Sequence, residues 1–262
     1  MSFVSKLFPN EFIIDESNSE SFAPVDSRCG LQLPEVKPPL SEGFRASTRK
    51  KYPRGEWAER VKDREKRGRT MSSIIRKKRI PTSDQDGTNF CWTYGVVSAV
   101  NAKRAWRGMP YVEYSRESVA APIKGYRNNG GWGKEAAEYI AKYGIFRQED
   151  WKRYHYSSSA YRTEAGLLVA AGHKILEWES LPDYDFDSLF STLLDDEAVA
   201  VGYDWWSHEV CAIDPVIIGS NSFGIRIWNS WGDSYGDNGM AILSEAKGTP
   251  ADAVVPFTFV SE

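Results

Sequence analysis

The chain has 262 residues, 41% of them hydrophobic and 13% aromatic, and its formal net charge at pH 7 is -3. A chain of this size and composition can bury one large core or two small lobes, which excludes an intrinsically disordered protein. No run approaches the roughly 18 consecutive apolar residues of a membrane-spanning helix, and we recognise no secretion signal, so we expect no membrane partner.

Residues 1–44 are predicted to form an extended arm. The stretch holds five prolines and few periodic apolar positions, a composition that favours an irregular chain lying on a surface. The prolines are Pro9, Pro24, Pro34, Pro38 and Pro39.

The next segment, residues 45–80, is strongly basic. Residues 45–79 hold 15 Lys and Arg against four acids, whereas residues 80–262 hold 15 basic and 25 acidic residues. Because the two parts carry opposite net charge, we expect them to attract each other. Contact of residues 45–79 with nucleic-acid phosphates is an alternative interpretation, although no base-reading motif accompanies them.

Two helices are predicted in the first part of the remaining chain. The first begins at Cys91, because apolar residues follow at the spacing that turns one face toward a core. These residues are Trp92, Val96, Ala99 and Val100. The second runs from about Lys134 to Tyr143, with Gly144 at the position of a left-handed C-cap.

After about Ala198 the apolar period shortens to two, which indicates strands. Phe223, Ile225 and Ile227 alternate with smaller or polar residues, and further apolar runs cover 210–213, 216–218 and 240–243. A helical half therefore precedes an antiparallel sheet, which predicts an α+β fold.

The three cysteines, Cys29, Cys91 and Cys211, lie too far apart in sequence for a zinc site and form no paired framework. A reducing compartment fits this pattern best. Cys91 differs from the other two because it begins a helix, whose positive end favours a thiolate and lowers the thiol pKa. A buried core cysteine is the structural alternative.

Four blocks of sequence follow one another between residues 81 and 243. They are Gln85–Trp92, Asn128–Gly131, Tyr143–Ile145 and Trp228–Gly232, the last followed by Tyr235–Gly239. In the first block a Gln stands six residues before a Cys-Trp pair, and the last contains Asn-Ser-Trp-Gly. Together these blocks resemble the papain family of cysteine peptidases.

The resemblance implies a papain-like two-lobe fold with an active-site cleft between the lobes. Residues 81–262 would form this domain, with a helical lobe over about 81–165 and an antiparallel, β-barrel-like lobe over about 166–262. In such zymogens an N-terminal prosegment crosses the cleft. The arm and the basic segment would therefore cover the cleft or dock the chain on a larger assembly.

The resemblance also implies a catalytic set. Cys91 would be the nucleophile, Gln85 and the Cys91 backbone N–H the oxyanion hole, and Asn229 the partner of a catalytic histidine. His208 is the candidate base, because it stands before a strand-like run between Cys91 and Asn229. The other two histidines, His155 and His173, are interpreted as structural.

Four residues are candidates for substrate contact. Gly130 and Gly131 would let a peptide backbone approach and pair with the main chain, although an ordinary turn explains them equally well. Trp231 would shield the histidine from water, and Trp206 would line the cleft beside it.

The chain departs from the family pattern at three places. Thr88 and Asn128 stand where a disulfide pair is usual, and the loss of that bridge suits a cytoplasmic or virion-associated location. Only the six residues Gly202–Ser207 separate Val201 from His208. The family usually has a long loop at this place, and that loop builds part of the substrate pocket. Substrate specificity therefore cannot be carried over.

Three functions remain open. The first is hydrolysis of peptide bonds by a Cys-His-Asn triad, with a peptide or protein as partner. The second is a catalytically weak or inactive scaffold in a phage particle or other assembly. The third is a thiol amidase or acyltransferase acting on cell-wall or isopeptide substrates. We expect no cofactor and no metal, because only His208 and Cys211 share ligand spacing.

Overall fold

The computed structural model describes residues 12–23, 25–26 and 28–260; the rest of the predicted arm lies outside the described residues. The α-helices are α1 Ser19–Phe22, α2 Arg54–Lys66, α3 Met71–Lys77, α4 Cys91–Trp106, α5 Glu117–Ile123, α6 Gly133–Tyr143, α7 Glu164–Ala170, α8 Phe186–Leu194 and α9 Glu245–Gly248. Short 3-10 helices cover Ser159–Tyr161 and Ala171–His173.

The strands form one open eight-stranded sheet. They are β1 Ile13–Ile14, β2 Phe44–Ala46, β3 Ile175–Ser180, β4 Val199–Tyr203, β5 His208–Gly219, β6 Ser222–Trp228, β7 Met240–Ser244 and β8 Asp252–Phe259, in the spatial order β1-β7-β6-β5-β4-β8-β3-β2. The six central strands pair antiparallel, and three of them, β5, β6 and β7, contain the apolar runs that the period-two pattern predicts. The N-terminal region supplies both edge strands, and both pair parallel.

Helix α4 forms the centre of the first core. Every residue from Cys91 to Ala105 is buried, and the helix packs against α6 and against strands β4 and β5. Helix α4 begins at Cys91 as predicted, and α6, predicted from about Lys134 to Tyr143, covers Gly133–Tyr143. Gly144 follows α6 at a φ of 85°, but its ψ of -171° lies outside the left-handed helical region. A side chain there would meet the Ala170 carbonyl.

The second core is completed by the basic segment. In α2, Trp57 is fully buried and stacks on Phe190 of α8, with ring centroids 4.1 Å apart. The buried Asp214 of β5 accepts hydrogen bonds from the first two backbone amides of α3, Met71 and Ser72. Helices α2 and α3 are therefore part of the folded domain.

Ion pairs join the basic segment to the acidic remainder of the chain, as the charge distribution predicts. These pairs are Arg45–Glu177, Arg49–Glu179, Lys51–Asp185, Arg54–Asp187, Arg64–Asp196 and Arg76–Asp237. Within residues 12–260, apart from the undescribed positions 24 and 27, no helix is long and apolar enough to span a membrane.

Candidate active site

Cys91 is the first residue of α4 and lies at the boundary between the helices and the sheet. The Phe90 carbonyl accepts the backbone N–H groups of Thr93 and Tyr94, so the helix turn begins immediately at the cysteine. The Cys91 side chain is fully buried. A thiol without access to solvent is harder to ionise, because burial disfavours the charged thiolate.

His208 begins β5, and its ring is held by Asn229 at the end of β6. The Asn229 Oδ1 atom lies 2.8 Å from His208 Nε2 and also accepts the Ser230 backbone N–H at 2.8 Å. Because Oδ1 can only accept, Nε2 carries the proton of the neutral ring. The other nitrogen, Nδ1, has no hydrogen-bond partner among the described residues, so it is the basic nitrogen of the pair.

Two tryptophans pack on this imidazole. The ring centroids of Trp206 and Trp231 lie 4.7 and 4.9 Å from that of His208, and the two indoles meet edge to face. Both indoles are buried. The Arg28 guanidinium covers Trp231, 3.9 Å from its ring centroid. The indoles thus shield the imidazole from water, and the expected contact of Trp206 with substrate stays a prediction.

Gln85 presents an oriented amide to the same space. Its Oε1 accepts the Ser230 hydroxyl at 2.6 Å, so its Nε2 must point the other way. That nitrogen donates to the carbonyls of Arg28 and Thr88 at 2.8 and 2.7 Å. The donor predicted to hold an oxyanion therefore holds a backbone carbonyl of the N-terminal arm.

Residues 28–32 of the N-terminal arm, which we call the cleft segment, form hydrogen bonds with Cys91, with Gln85 and with the main chain of Ser207 and Gly131. The Gly30 backbone N–H donates to Cys91 Sγ at 3.3 Å, and the Leu31 N–H donates to the Ser207 carbonyl at 2.9 Å. Gly131 donates to the Gly30 carbonyl and accepts from Gln32, both at 2.8 Å. The expected pairing of Gly131 with a peptide backbone is thus made by the chain itself.

The fit of the cleft segment depends on two glycines that face each other. A Cβ atom on Gly30 would lie 2.2 Å from the Asn89 carbonyl oxygen. A Cβ atom on Gly130 would lie 2.4 Å from the Gly30 carbonyl oxygen. Neither approach tolerates a side chain, so both positions require glycine for close backbone contact rather than for a special φ.

Burial keeps both candidate reacting groups neutral in this conformation. It raises the pKa of the Cys91 thiol to about 12, and the Glu209 carboxylate adds to the rise. The pKa of His208 is lowered to about 4, again mainly by burial, although its hydrogen bond to Asn229 opposes the shift. The lowered thiol pKa expected at a helix start is not found, because desolvation outweighs the helix dipole while the cleft is covered.

Three features of the site were not predicted from sequence. Ser230, whose hydroxyl orients Gln85, is the serine of the Asn-Ser-Trp-Gly block, so its place in that block was the available sequence signal. Glu209 is almost fully buried, and its carboxylate oxygens have no hydrogen-bond partner among the described residues. Its position next to His208 on a strand was the available signal. The cleft segment has no local signal, because its contacts are made by backbone atoms.

The other two histidines, His155 and His173, contact neighbouring aromatic or basic side chains. His173 is buried, and its ring nitrogens lie 3.3 Å from the Tyr114 hydroxyl and from Arg147 Nε. The His155 ring packs edge to face on Tyr161. Among the described residues, no group of three or more His, Cys, Asp or Glu side chains is arranged to hold a metal ion.

The sequence matches no protein-family model and no curated protein. Solved structures do match the fold. Digestive procathepsin L 3 from the larval midgut of Tenebrio molitor is 20% identical, with a TM-score of 0.57 over 68% of this chain and 66% of that chain. The proform of Amb a 11, a cysteine protease and ragweed pollen allergen, is 18% identical, with a TM-score of 0.56 over 68% and 62%.

A bacterial structure matches to the same degree. Xylellain, a cysteine protease from Xylella fastidiosa, is 15% identical, with a TM-score of 0.56 over 68% of this chain and 83% of that chain. The match spans less than two thirds of the procathepsin and Amb a 11 chains. At these identities the likeness concerns the fold, which is α+β with a helical part and a large open sheet. The chain therefore shares the papain-like fold of these cysteine proteases.

Proposed function

We propose that the chain is a cysteine peptidase that hydrolyses peptide bonds. The supporting observation is the cleft segment itself, a peptide backbone that contacts the Cys91 sulfur, the Gln85 amide and the Gly131 main chain together. A groove that binds a backbone in this way would also accept a peptide substrate.

The residues would divide the work as follows. His208 Nδ1 takes the thiol proton, and the Cys91 sulfur then attacks the substrate carbonyl carbon. Gln85 Nε2 and the Cys91 backbone N–H stabilise the oxyanion. His208 returns the proton to the leaving amine, and water, activated by the same nitrogen, releases the acyl group from the sulfur. Asn229 fixes the tautomer that makes Nδ1 the acceptor.

The test requires an uncovered cleft in the full-length chain. Gly30→Trp would clash with the Asn89 carbonyl and expel the cleft segment. The matched control is Val36→Trp in the same arm, where the native side chain is 84% exposed. We expect the first variant, but not the second, to hydrolyse fluorogenic peptides and to be labelled by an epoxide inhibitor at Cys91. Labelling at Cys29 or Cys211 instead would contradict the proposal.

An inactive papain-fold scaffold is the second candidate. It is favoured by the full burial of Cys91 and His208 and by their neutral charge states beneath the arm. A Gly30→Trp variant whose Cys91 becomes accessible to iodoacetamide, yet which cleaves no peptide in a broad library, would favour this candidate.

A further inference from the structure

We propose that a surface at the end of α4 opposite Cys91 binds the phosphate backbone of duplex DNA without reading its sequence. Because α4 has 16 residues, its last turn lies roughly 22 Å from Cys91, so the inference does not depend on the peptidase proposal. We call this surface the basic face. It consists of seven exposed cations, Lys66, Arg67, Arg69, Lys77, Lys78, Arg79 and Arg107.

The cations of the basic segment, residues 45–79, fall into two groups. Seven of its 15 Lys and Arg form ion pairs with acids of this chain, and these are Arg45, Arg49, Lys51, Arg54, Arg60, Arg64 and Arg76. Six of the other eight belong to the basic face, and none of the six forms an ion pair with a described residue. Their charge is therefore not used to hold the segment in the fold.

Side-chain contacts gather the basic face around the end of α4. The Arg69 guanidinium donates to the Trp106 carbonyl at 3.1 Å and covers the Trp106 ring, 4.3 Å from its centroid. The Lys78 ammonium donates to the Met109 carbonyl, also at 3.1 Å. The residues just before and just after α3 thus both reach the end of α4, where Arg107 is exposed.

The positive charge of this end is not balanced by neighbouring acids. Residues 66–79 contain seven Lys and Arg and no Asp or Glu. Asp196, on the adjacent turn after α8, pairs with the buried Arg64. A dense array of exposed cations of this kind attracts a polyanion, because binding releases the counterions condensed on it.

Helix stability does not account for the cluster. Cations are favourable near the C-terminal end of a helix and unfavourable near its N-terminal end. Arg69, however, precedes the N-cap of α3, and Arg79 lies beyond its C-cap with a φ of 53°. A positive φ favours glycine over a residue with a side chain. Neither arginine is therefore explained by the helix beside it.

The chemistry of the face favours duplex DNA over a single strand or a membrane. Within residues 66–79 and 106–109, all of them described, no large apolar side chain is exposed, and Arg69 covers Trp106. Single strands need exposed rings for stacking, and interfacial membrane binding needs an apolar face. Arg69 and Lys78 are nine residues apart, so the face spans about 13 Å, or about 4 base pairs.

The test measures binding of the full-length chain to a fluorescein-labelled 20-base-pair duplex by fluorescence anisotropy between 50 and 200 mM NaCl. The variant Lys66→Gln/Lys77→Gln/Arg79→Gln removes three charges whose side chains form no hydrogen bond or ion pair with a described residue. The matched control, Arg127→Gln/Lys142→Gln/Lys152→Gln, removes three exposed charges elsewhere. Thermal melting followed by circular dichroism checks that both variants are folded.

For the wild type we expect a Kd on the order of 10⁻⁶ to 10⁻⁴ M near physiological salt, independent of duplex sequence. The logarithm of the binding constant should fall with the logarithm of salt concentration with a slope of about -4 to -6. The first variant should bind at least about 10-fold more weakly and with a slope shallower by about 2 to 3. The control should change the Kd less than about 2-fold.

A second measurement on the wild-type chain needs no substitution. Acetylation of lysines, mapped by mass spectrometry with and without the duplex, should show protection of Lys77 and Lys78 but not of Lys142 and Lys152. No binding at 50 mM NaCl, equal weakening by both variants, or absence of this protection would overturn the proposal. Tighter binding to a 20-nucleotide single-stranded RNA, or to vesicles of phosphatidylserine and phosphatidylcholine, would overturn the assignment to duplex DNA.

Discussion

At the scale of single residues, the site depends on amides whose orientation is fixed by their neighbours. Ser230 supplies two of these constraints, since its hydroxyl orients Gln85 and its backbone N–H orients Asn229. As a result Gln85 Nε2 points toward the carbonyls of Arg28 and Thr88, and His208 Nδ1 has no hydrogen-bond partner in the part of the chain that the structure describes. In the proposed mechanism, these fixed orientations would lower the cost of reorganisation during the reaction.

The Gln85 donor is tested by Gln85→Glu in the Gly30→Trp chain. The glutamate has nearly the same shape but no N–H to offer an oxyanion. We expect kcat to fall by about 10²- to 10³-fold with little change in KM, because the lost interaction forms mainly in the transition state. Steady-state kinetics on one fluorogenic peptide would measure this. An equal loss expressed only in KM would mean that Gln85 binds substrate without stabilising the oxyanion.

Glu209 gives a prediction about pH. Its pKa is raised well above 4.5, mainly by burial and then by the neighbouring Asp252, while Lys134 opposes the shift. The folded chain therefore holds a proton that the unfolded chain loses above about pH 4.5, so the free energy of unfolding falls as pH rises. Glu209→Gln removes this dependence. Urea unfolding at pH 5 and pH 8 should show that the free energy of unfolding of the variant, relative to that of the wild type, is higher at pH 8 than at pH 5. The same difference at both pH values would contradict the raised pKa of Glu209.

At the scale of elements, α2 is held mainly by its buried face, which carries an indole and also a paired guanidinium, since Arg64 is buried and forms ion pairs with Asp196 and Asp214. The buried face carries Trp57 against Phe190, while Arg60 and Glu56 form an exposed i,i+4 pair on the opposite side. Exposed ion pairs contribute little to stability, whereas a buried indole contributes a large apolar surface. The exposed basic residues of α2 therefore contribute less to its attachment than its buried face does.

A pair of substitutions in α2 separates the two effects. Trp57→Ala should lower the free energy of unfolding by about 3–5 kcal/mol, because it leaves a large cavity in the second core. Arg54→Ala removes the exposed ion pairs that α2 makes with Asp187 and Glu245, and it should lower the free energy of unfolding by only about 1 kcal/mol or less. Equal effects of the two substitutions would mean that α2 is attached through its surface charges.

At the scale of the whole molecule, the N-terminal region reaches both edges of the sheet. Strand β1 pairs with β7 at one edge and β2 with β3 at the other, and the cleft segment lies between them in sequence. The described residues between 12 and 80 therefore do not form a separate unit. Strands β1 and β2 form the two edges of the sheet, and α2 contributes Trp57 to the second core.

Two truncated chains test this dependence. A chain of residues 81–262 loses β2, α2 and α3, and we expect it to be insoluble or to lack a cooperative thermal transition, because its second core is exposed. A chain of residues 41–262 keeps these elements, and we expect a cooperative transition by circular dichroism. A folded 81–262 chain with a similar melting temperature would show that α2 and α3 only rest on the surface.

The sequence by itself determined the α+β class, helices α4 and α6, strands β5 to β7 and the candidate set of Gln85, Cys91, His208 and Asn229. The class and these elements follow from local periodicity, whereas the candidate set is what the resemblance of the sequence blocks to the papain family implies. Only the tertiary structure decided that the arm enters the cleft, that α2 and α3 complete a core, and that Cys91 and His208 are neutral. Those outcomes depend on backbone hydrogen bonds and burial between residues distant in sequence, which leave no pattern in the order of side chains.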